Sequence, residues 1–78
     1  MYLTVTLRLS GHDFDIQADS NLPIENAVKT VSENMRIYEG AKLPAFYKST
    51  QQCKVISSKF TFEQGSIQNG DILTALEV

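Results

Sequence analysis

The chain is read as an α+β fold, a five-stranded mixed sheet with one main helix packed across it. Three observations predict this. Two period-two runs separated by turn chemistry open the chain. One stretch with helical spacing of apolar residues follows, introduced by a proline. Short apolar segments punctuated by polar turns close it, the last launched by Asn69-Gly70. Strands on both sides of a single amphipathic helix imply a sheet covered by that helix on one face.

From Tyr2 to Leu9 the residues alternate, with Leu3, Val5, Leu7 and Leu9 on one side and Tyr2, Thr4, Thr6 and Arg8 on the other. Period two with β-branched filling is a half-buried strand. Ser10-Gly11-His12-Asp13 is turn chemistry, and Gly11 can take positive φ without strain. Phe14 to Ala18 alternates again, so the two runs predict a hairpin. Asp19-Ser20-Asn21-Leu22 breaks the pattern. Pro23 suits a first helical position, where its missing N–H costs nothing. Glu25 in the first turn complements the helix dipole. Ile24, Ala27, Val28, Val31 and Met35 then recur as one apolar stripe, with Glu25, Asn26, Lys29, Ser32 and Glu33 off it. The helix should fade between Arg36 and Tyr38 and end by Gly40, a C′ residue.

Leu43 to Lys48 reads as a third strand, with Pro44 at an edge or entry position. Ser49 to Gln52 is a polar turn and Cys53 to Ile56 a short fourth strand. The connection from Ser57 to Ser66 carries Phe60, Phe62 and the adjoining Ile67, three apolar anchors that predict a packed segment with a helical turn. Asn69-Gly70 turns into a last strand, Asp71 to Glu77, and the first and last strands should be central parallel neighbours. This order is that of a β-grasp roll.

Length and composition narrow the function. Seventy-eight residues make one domain, 1–78, with a thin core: a chain this short buries roughly 60% of the surface its unfolded form exposes. The net charge is −2 and no Lys/Arg cluster exists, so nucleic acid is not an expected partner. Cys53 is the sole cysteine, which forbids an intramolecular disulfide and favours a reducing compartment. The N-terminus lacks the signal-peptide pattern, and no apolar run nears the roughly 20 residues that cross a bilayer. The expectation is a cytoplasmic protein without direct membrane insertion. His12 stands alone in a turn and reads as solvated, without partners for a general base or metal site. Cys53, opening a short strand, reads as a small buried hydrophobe. Asp13, Asp15 and Asp19 lack the spacing of a calcium loop and read as a solvated face. No phosphate-cradling glycine loop is spelled out. No catalytic set, cofactor or metal is expected, and the chain reads as a non-enzyme.

Three segments carry a resemblance. Ile24-Glu25-Asn26-Ala27-Val28-Lys29 resembles the start of the ubiquitin helix. Phe60-Thr61-Phe62-Glu63-Gln64-Gly65-Ser66-Ile67 has the spacing of ubiquitin's loop and short helix, with Phe62 and Ile67 at buried positions. Gly70 falls where ubiquitin holds a positive-φ residue. Over its whole length, the chain is similar to the small YukD/EsaB-type ubiquitin-like proteins of Gram-positive type VII (WXG100, ESX-like) secretion systems. Those begin with an alternating strand, carry a Pro-Ile/Val helix start and end with a segment like Ile67-Gln68-Asn69-Gly70-Asp71 and a short apolar strand. The resemblance implies an accessory or regulatory protein that docks non-covalently on protein partners, such as cytoplasmic domains of the secretion machinery. The alternatives are a ubiquitin-like modifier or sulfur carrier, or another ubiquitin-like interaction or scaffold domain. Glu77-Val78 in place of a terminal Gly-Gly speaks against the modifier or carrier.

Pattern alone leaves open whether Leu73 and Ala75, or Ile72, Thr74 and Leu76, face inward on the last strand. The resemblance to ubiquitin implies Leu73, Ala75 and Phe46 inside. It places Tyr47, Ile72, Thr74 and Leu76 outside, rimmed by Lys48 and Arg8, as a protein-binding patch. The competing expectation is that these residues are partly covered by the chain or pack in a homodimer.

Overall fold

The first strand and the last lie side by side at the centre of the sheet. In the computed structural model, which describes residues 1–36 and 43–76, the chain runs β1 (Tyr2–Leu9), β2 (His12–Asp19), α1 (Ile24–Met35), β3 (Phe46–Ser49), β4 (Lys54–Ser57) and β5 (Ile72–Ala75). The strands form one five-stranded sheet in the order β2-β1-β5-β3-β4. β1 and β5 are parallel, and the other three pairs are antiparallel. This is an α+β fold of the β-grasp type.

The hairpin turn is only two residues long. Ser10 (φ 49°) and Gly11 (φ 79°) both take positive φ, as a type I′ turn requires, and Leu9 pairs directly with His12. β2 therefore starts at His12, two residues before the alternation at Phe14 suggests. The inward set of β1, Leu3, Val5, Leu7 and Leu9, is buried to the last residue.

Helix α1 lays Ile24 and Val28 into the core, with Ala27 and Val31 at its margin. Pro23 is the N-cap, with extended ψ of 145°, rather than the first helical residue. It offers no side-chain cap. Backbone carbonyls from the packed connection substitute: Ile24 N–H donates to Phe60 O and Glu25 N–H to Ser58 O, both at 2.9 Å. Two of the helix's orphan donors are thereby satisfied by tertiary structure. Met35 departs from the expected stripe, being 57% exposed as the last helical residue. Ser32, expected off the stripe, is buried, its hydroxyl donating to Lys29 O at 2.9 Å. Arg36 ends the helix in the left-handed region (φ 55°), with its N–H on Ser32 O. Tyr38 and Gly40, expected near the stop, lie outside the described residues, as do Glu77 and Val78.

The connection before β5 makes one helical turn, with Gly65 N–H on Thr61 O at 3.0 Å. A reciprocal capping box opens it: Gln64 N–H donates to Thr61 Oγ1 at 2.9 Å and Thr61 N–H to Gln64 Oε1 at 3.0 Å. Phe62 and Ile67 are buried as expected, whereas Phe60 is 47% exposed. Cys53 is exposed too, contrary to expectation. The pairing of Ser49 with Lys54 makes the β3–β4 turn four residues long and leaves Cys53 in it at φ 54°.

Candidate functional site on the outer face of the sheet

Cross-strand register fixes what the uncovered face of the sheet presents. One row runs Asp13, Arg8, Thr74, Lys48, Val55 across all five strands. Beside it, Phe46 lies between Ser57, its β4 partner, and Leu76, whose N–H donates to Phe46 O at 3.0 Å. Ile72 stands opposite Thr6 one step away.

Five of the six residues expected on the patch lie on this face. Arg8, Lys48 and Leu76 are exposed, and Ile72 and Thr74 are half-buried. Tyr47 is the exception, and the correction is complete. It is wholly buried, paired with Ala75 and Ile56 on the core side, while Phe46 is 51% exposed. The reason is alternation. Phe46 must share a face with Lys48, whose ammonium cannot enter a thin apolar core unpaired. The sheet therefore turns Tyr47 and Ser49 inward together. That signal was present in the sequence as the Phe-Tyr-Lys-Ser order. Val55, 58% exposed beside Lys48, was not expected on the patch; its place depends on the β3–β4 register.

Leu73 and Ala75 face the core side as expected, with Leu73 wholly buried and Ala75 at the margin. A buried polar clamp holds the register. Asp71 is fully buried just before β5. Its carboxylate accepts from Ser49 Oγ at 2.5 Å, from Gln51 N–H at 3.1 Å and from Ile72 N–H at 2.7 Å. Gln52 N–H in turn donates to Ser49 Oγ at 3.3 Å. The clamp ties the β3–β4 turn to the start of β5 and so keeps Phe46 opposite Leu76. On the other side, Thr4 N–H donates to Asn69 Oδ1 and Gly70 N–H to Thr4 O, both at 2.8 Å. Gly70 does this at φ 83°. The Asn-Gly turn thus locks β5 onto β1 before the strand begins.

Charge is unevenly handled across the face. Arg8 donates to both oxygens of Asp13, at 2.8 and 3.2 Å. That hydrogen-bonded pair holds the Asp13 carboxyl below the usual aspartate range and raises the Arg8 guanidinium. Lys48 ion-pairs with no carboxylate among the described residues. The face therefore presents Phe46, Val55 and Leu76 around Lys48, a cation without a carboxylate partner among the described residues.

No protein-family model and no curated protein matches the chain.

Among the described residues, no three His, Cys, Asp or Glu side chains gather where they could hold a metal ion. No helix among them is long and apolar enough to cross a membrane. His12 is exposed at the start of β2, its ring 6.3 Å from that of Phe14.

Proposed function

We propose that this chain is a non-catalytic, ubiquitin-like docking protein that works by reversible, non-covalent association with a protein partner. The observation that carries this reading is the outer sheet face. Phe46, Val55 and Leu76 are 51%, 58% and 38% exposed on adjacent strands, around Lys48. Grouped exposed apolar side chains with a polar rim suit a protein interface. Lys48 asks that the partner bring a carboxylate. A two-fold dimer centred on Lys48 would set two ammonium groups together, which favours a different protein over a second copy. The setting we propose is the cytoplasm, as an accessory or regulatory factor of a type VII secretion apparatus, with cytoplasmic domains of its components as partners. The resemblance to YukD/EsaB-type proteins supports that setting, and the β-grasp fold agrees with it.

The test is capture of partners from the native host by the tagged protein, under native and denaturing conditions, beside a Phe46→Ser/Leu76→Ser variant. Partners lost on denaturation and depleted in the variant support docking through this face, and secretion components among them support the setting. Higher-mass species surviving denaturation would mean covalent attachment and would overturn the non-covalent reading.

A further inference from the structure

Strand β2 ends the sheet, and among the described residues nothing pairs with its outer edge. The hairpin determines which backbone groups that edge offers. A two-residue turn closes on a hydrogen-bonded pair, here Leu9 and His12. Antiparallel pairing then alternates, so His12, Phe14, Ile16 and Ala18 direct N–H and C=O to β1. The Ser20 N–H donating to Met1 O at 2.7 Å continues the same alternation. Asp13, Asp15 and Gln17 therefore turn their N–H and C=O outward, while the Asp19 C=O at the strand end already accepts from Leu22 N–H at 3.0 Å. Their side chains lie on the outer face, across from Arg8, Thr6, Thr4 and Tyr2. On the helix side, a groove between β2 and α1 runs along this edge, lined by half-buried Ile16, Ala27 and Val31 and exposed Leu22.

We propose that the β2 edge takes an extended peptide segment alternating basic and apolar residues, which adds a strand to the sheet. This surface is distinct from the Phe46–Leu76 face. Main-chain bonds to an open edge supply affinity, and alternate side chains supply specificity. The apolar residues of such a segment point into the groove beside Ile16 and Val31. Its basic residues fall opposite Asp13, Asp15 and Asp19.

Charge selects this occupant over a second copy. If two β2 strands pair antiparallel, every register centred between Asp13 and Gln17 sets an aspartate directly against an aspartate. Asp15 meets Asp15, or Asp13 meets Asp19, depending on the centre. Like charges directly opposite are destabilising, and opposite charges there are favourable. The carboxylates retain room to accept. Asp15 takes one bond from Thr6 Oγ1 at 2.6 Å, and Asp13 takes two from Arg8. Asp19 takes one from Asn21 N–H at 3.0 Å and lies 3.7 Å from the Met1 ammonium. An ionised carboxylate has roughly four acceptor positions. From the helix, Lys29 and Glu33 reach the groove with opposite charges, so α1 adds no net sign. The other edge, β4, is four residues long against eight in β2, and offers correspondingly fewer bonds.

The test is an NMR titration of the labelled full chain, at low salt, with two capped peptides the length of β2. One alternates lysine and valine, the other glutamate and valine. The lysine peptide is expected to bind, to shift the amides of Asp13, Asp15 and Gln17 and to slow their hydrogen exchange. The glutamate peptide is expected to bind about tenfold more weakly or less. Asp15→Lys should narrow or reverse that order. Gln17→Pro removes an outward N–H without touching the β1 ladder, so it should fold and lose the lysine peptide. If that variant fails to fold, Asp15→Lys decides. No binding, shifts confined to the Phe46–Leu76 face, or an unchanged preference in Asp15→Lys would overturn the proposal.

Discussion

The two halves of the outer sheet face treat their side chains differently. On β1 and β2 the polar groups answer one another, Arg8 with Asp13 and Thr6 with Asp15, at 2.6 to 3.2 Å. On β3, β4 and β5 the corresponding positions carry Phe46, Val55 and Leu76 around Lys48, which has no carboxylate partner among the described residues. The core-side pattern of both halves is alike: Leu7, Leu73 and Tyr47 are all wholly buried. The difference lies only in what faces water. A face whose donors and acceptors are matched internally gains little from an apolar partner laid on it. Exposed apolar surface gains about 25 cal/mol for each Å² it buries. Docking of an apolar surface therefore belongs to the β3–β5 half, while the β1–β2 half offers its open backbone edge, flanked by carboxylates that still have room to accept.

The adjacent aromatics of β3 give the largest test of this division. Tyr47→Ala should cost about 3–5 kcal/mol, near the whole stability of a small domain, and leave little folded protein. Phe46→Ala should move the urea midpoint by less than about 1 kcal/mol equivalent while reducing partner capture. Equal losses for the two would mean that the faces of β3 are misassigned.

Next in size is the clamp. Asp71→Ala should cost about 1–3 kcal/mol, because it leaves the Ser49 hydroxyl and two amides without their acceptor. Ser49→Ala should cost less, since two of the Asp71 bonds remain. A double-mutant cycle should show coupling between them, and additive losses would mean that they do not act as one unit. A smaller effect is expected at the connection under β4. A Cβ on Gly65 would stand 3.1 Å from Ile56 Cγ2, so Gly65→Ala should lower thermal stability slightly as that side chain gives way.

The smallest effect concerns Arg8 and Asp13, an exposed surface pair. Asp13 is held below the ordinary aspartate range by its Arg8 hydrogen bonds. A carboxylate with a depressed folded-state pKa contributes stability above its unfolded pKa, and that contribution fades as pH falls through the folded value. NMR titration should therefore find Asp13 ionised to lower pH than an unpartnered aspartate. Arg8→Met should return it upward and flatten the acid limb of stability slightly. An unchanged titration in the variant would show that the pair does not persist in solution.

Much of this architecture was legible because local rules and global fold agree. Strict alternation wrote β1 into the sequence, and the turn chemistry from Ser10 to Asp13 marked its hairpin, though His12 and Asp13 belong to β2. Proline, Glu25 and apolar spacing placed α1, and Asn69-Gly70 placed the start of β5. The candidate site was legible only in part. Ile72, Thr74, Leu76, Lys48 and Arg8 lie on the expected face, but Tyr47 lies on the other. A four-residue strand with apolar character on both faces carries too few periods for burial to be read from pattern, and only the charge of Lys48 breaks the tie.

By itself, the sequence determined the element order, the hairpin and the inward face of β1, because each rests on contacts between residues near in the chain or on strict periodicity. Tertiary structure alone decided where Val55 stands and that Asp71 lies inside the fold. The first depends on the register of the β3–β4 pair and the second on a meeting of segments far apart in sequence. Ser49 meets Asp71 only after β5 has entered between β1 and β3, and no local pattern encodes that meeting.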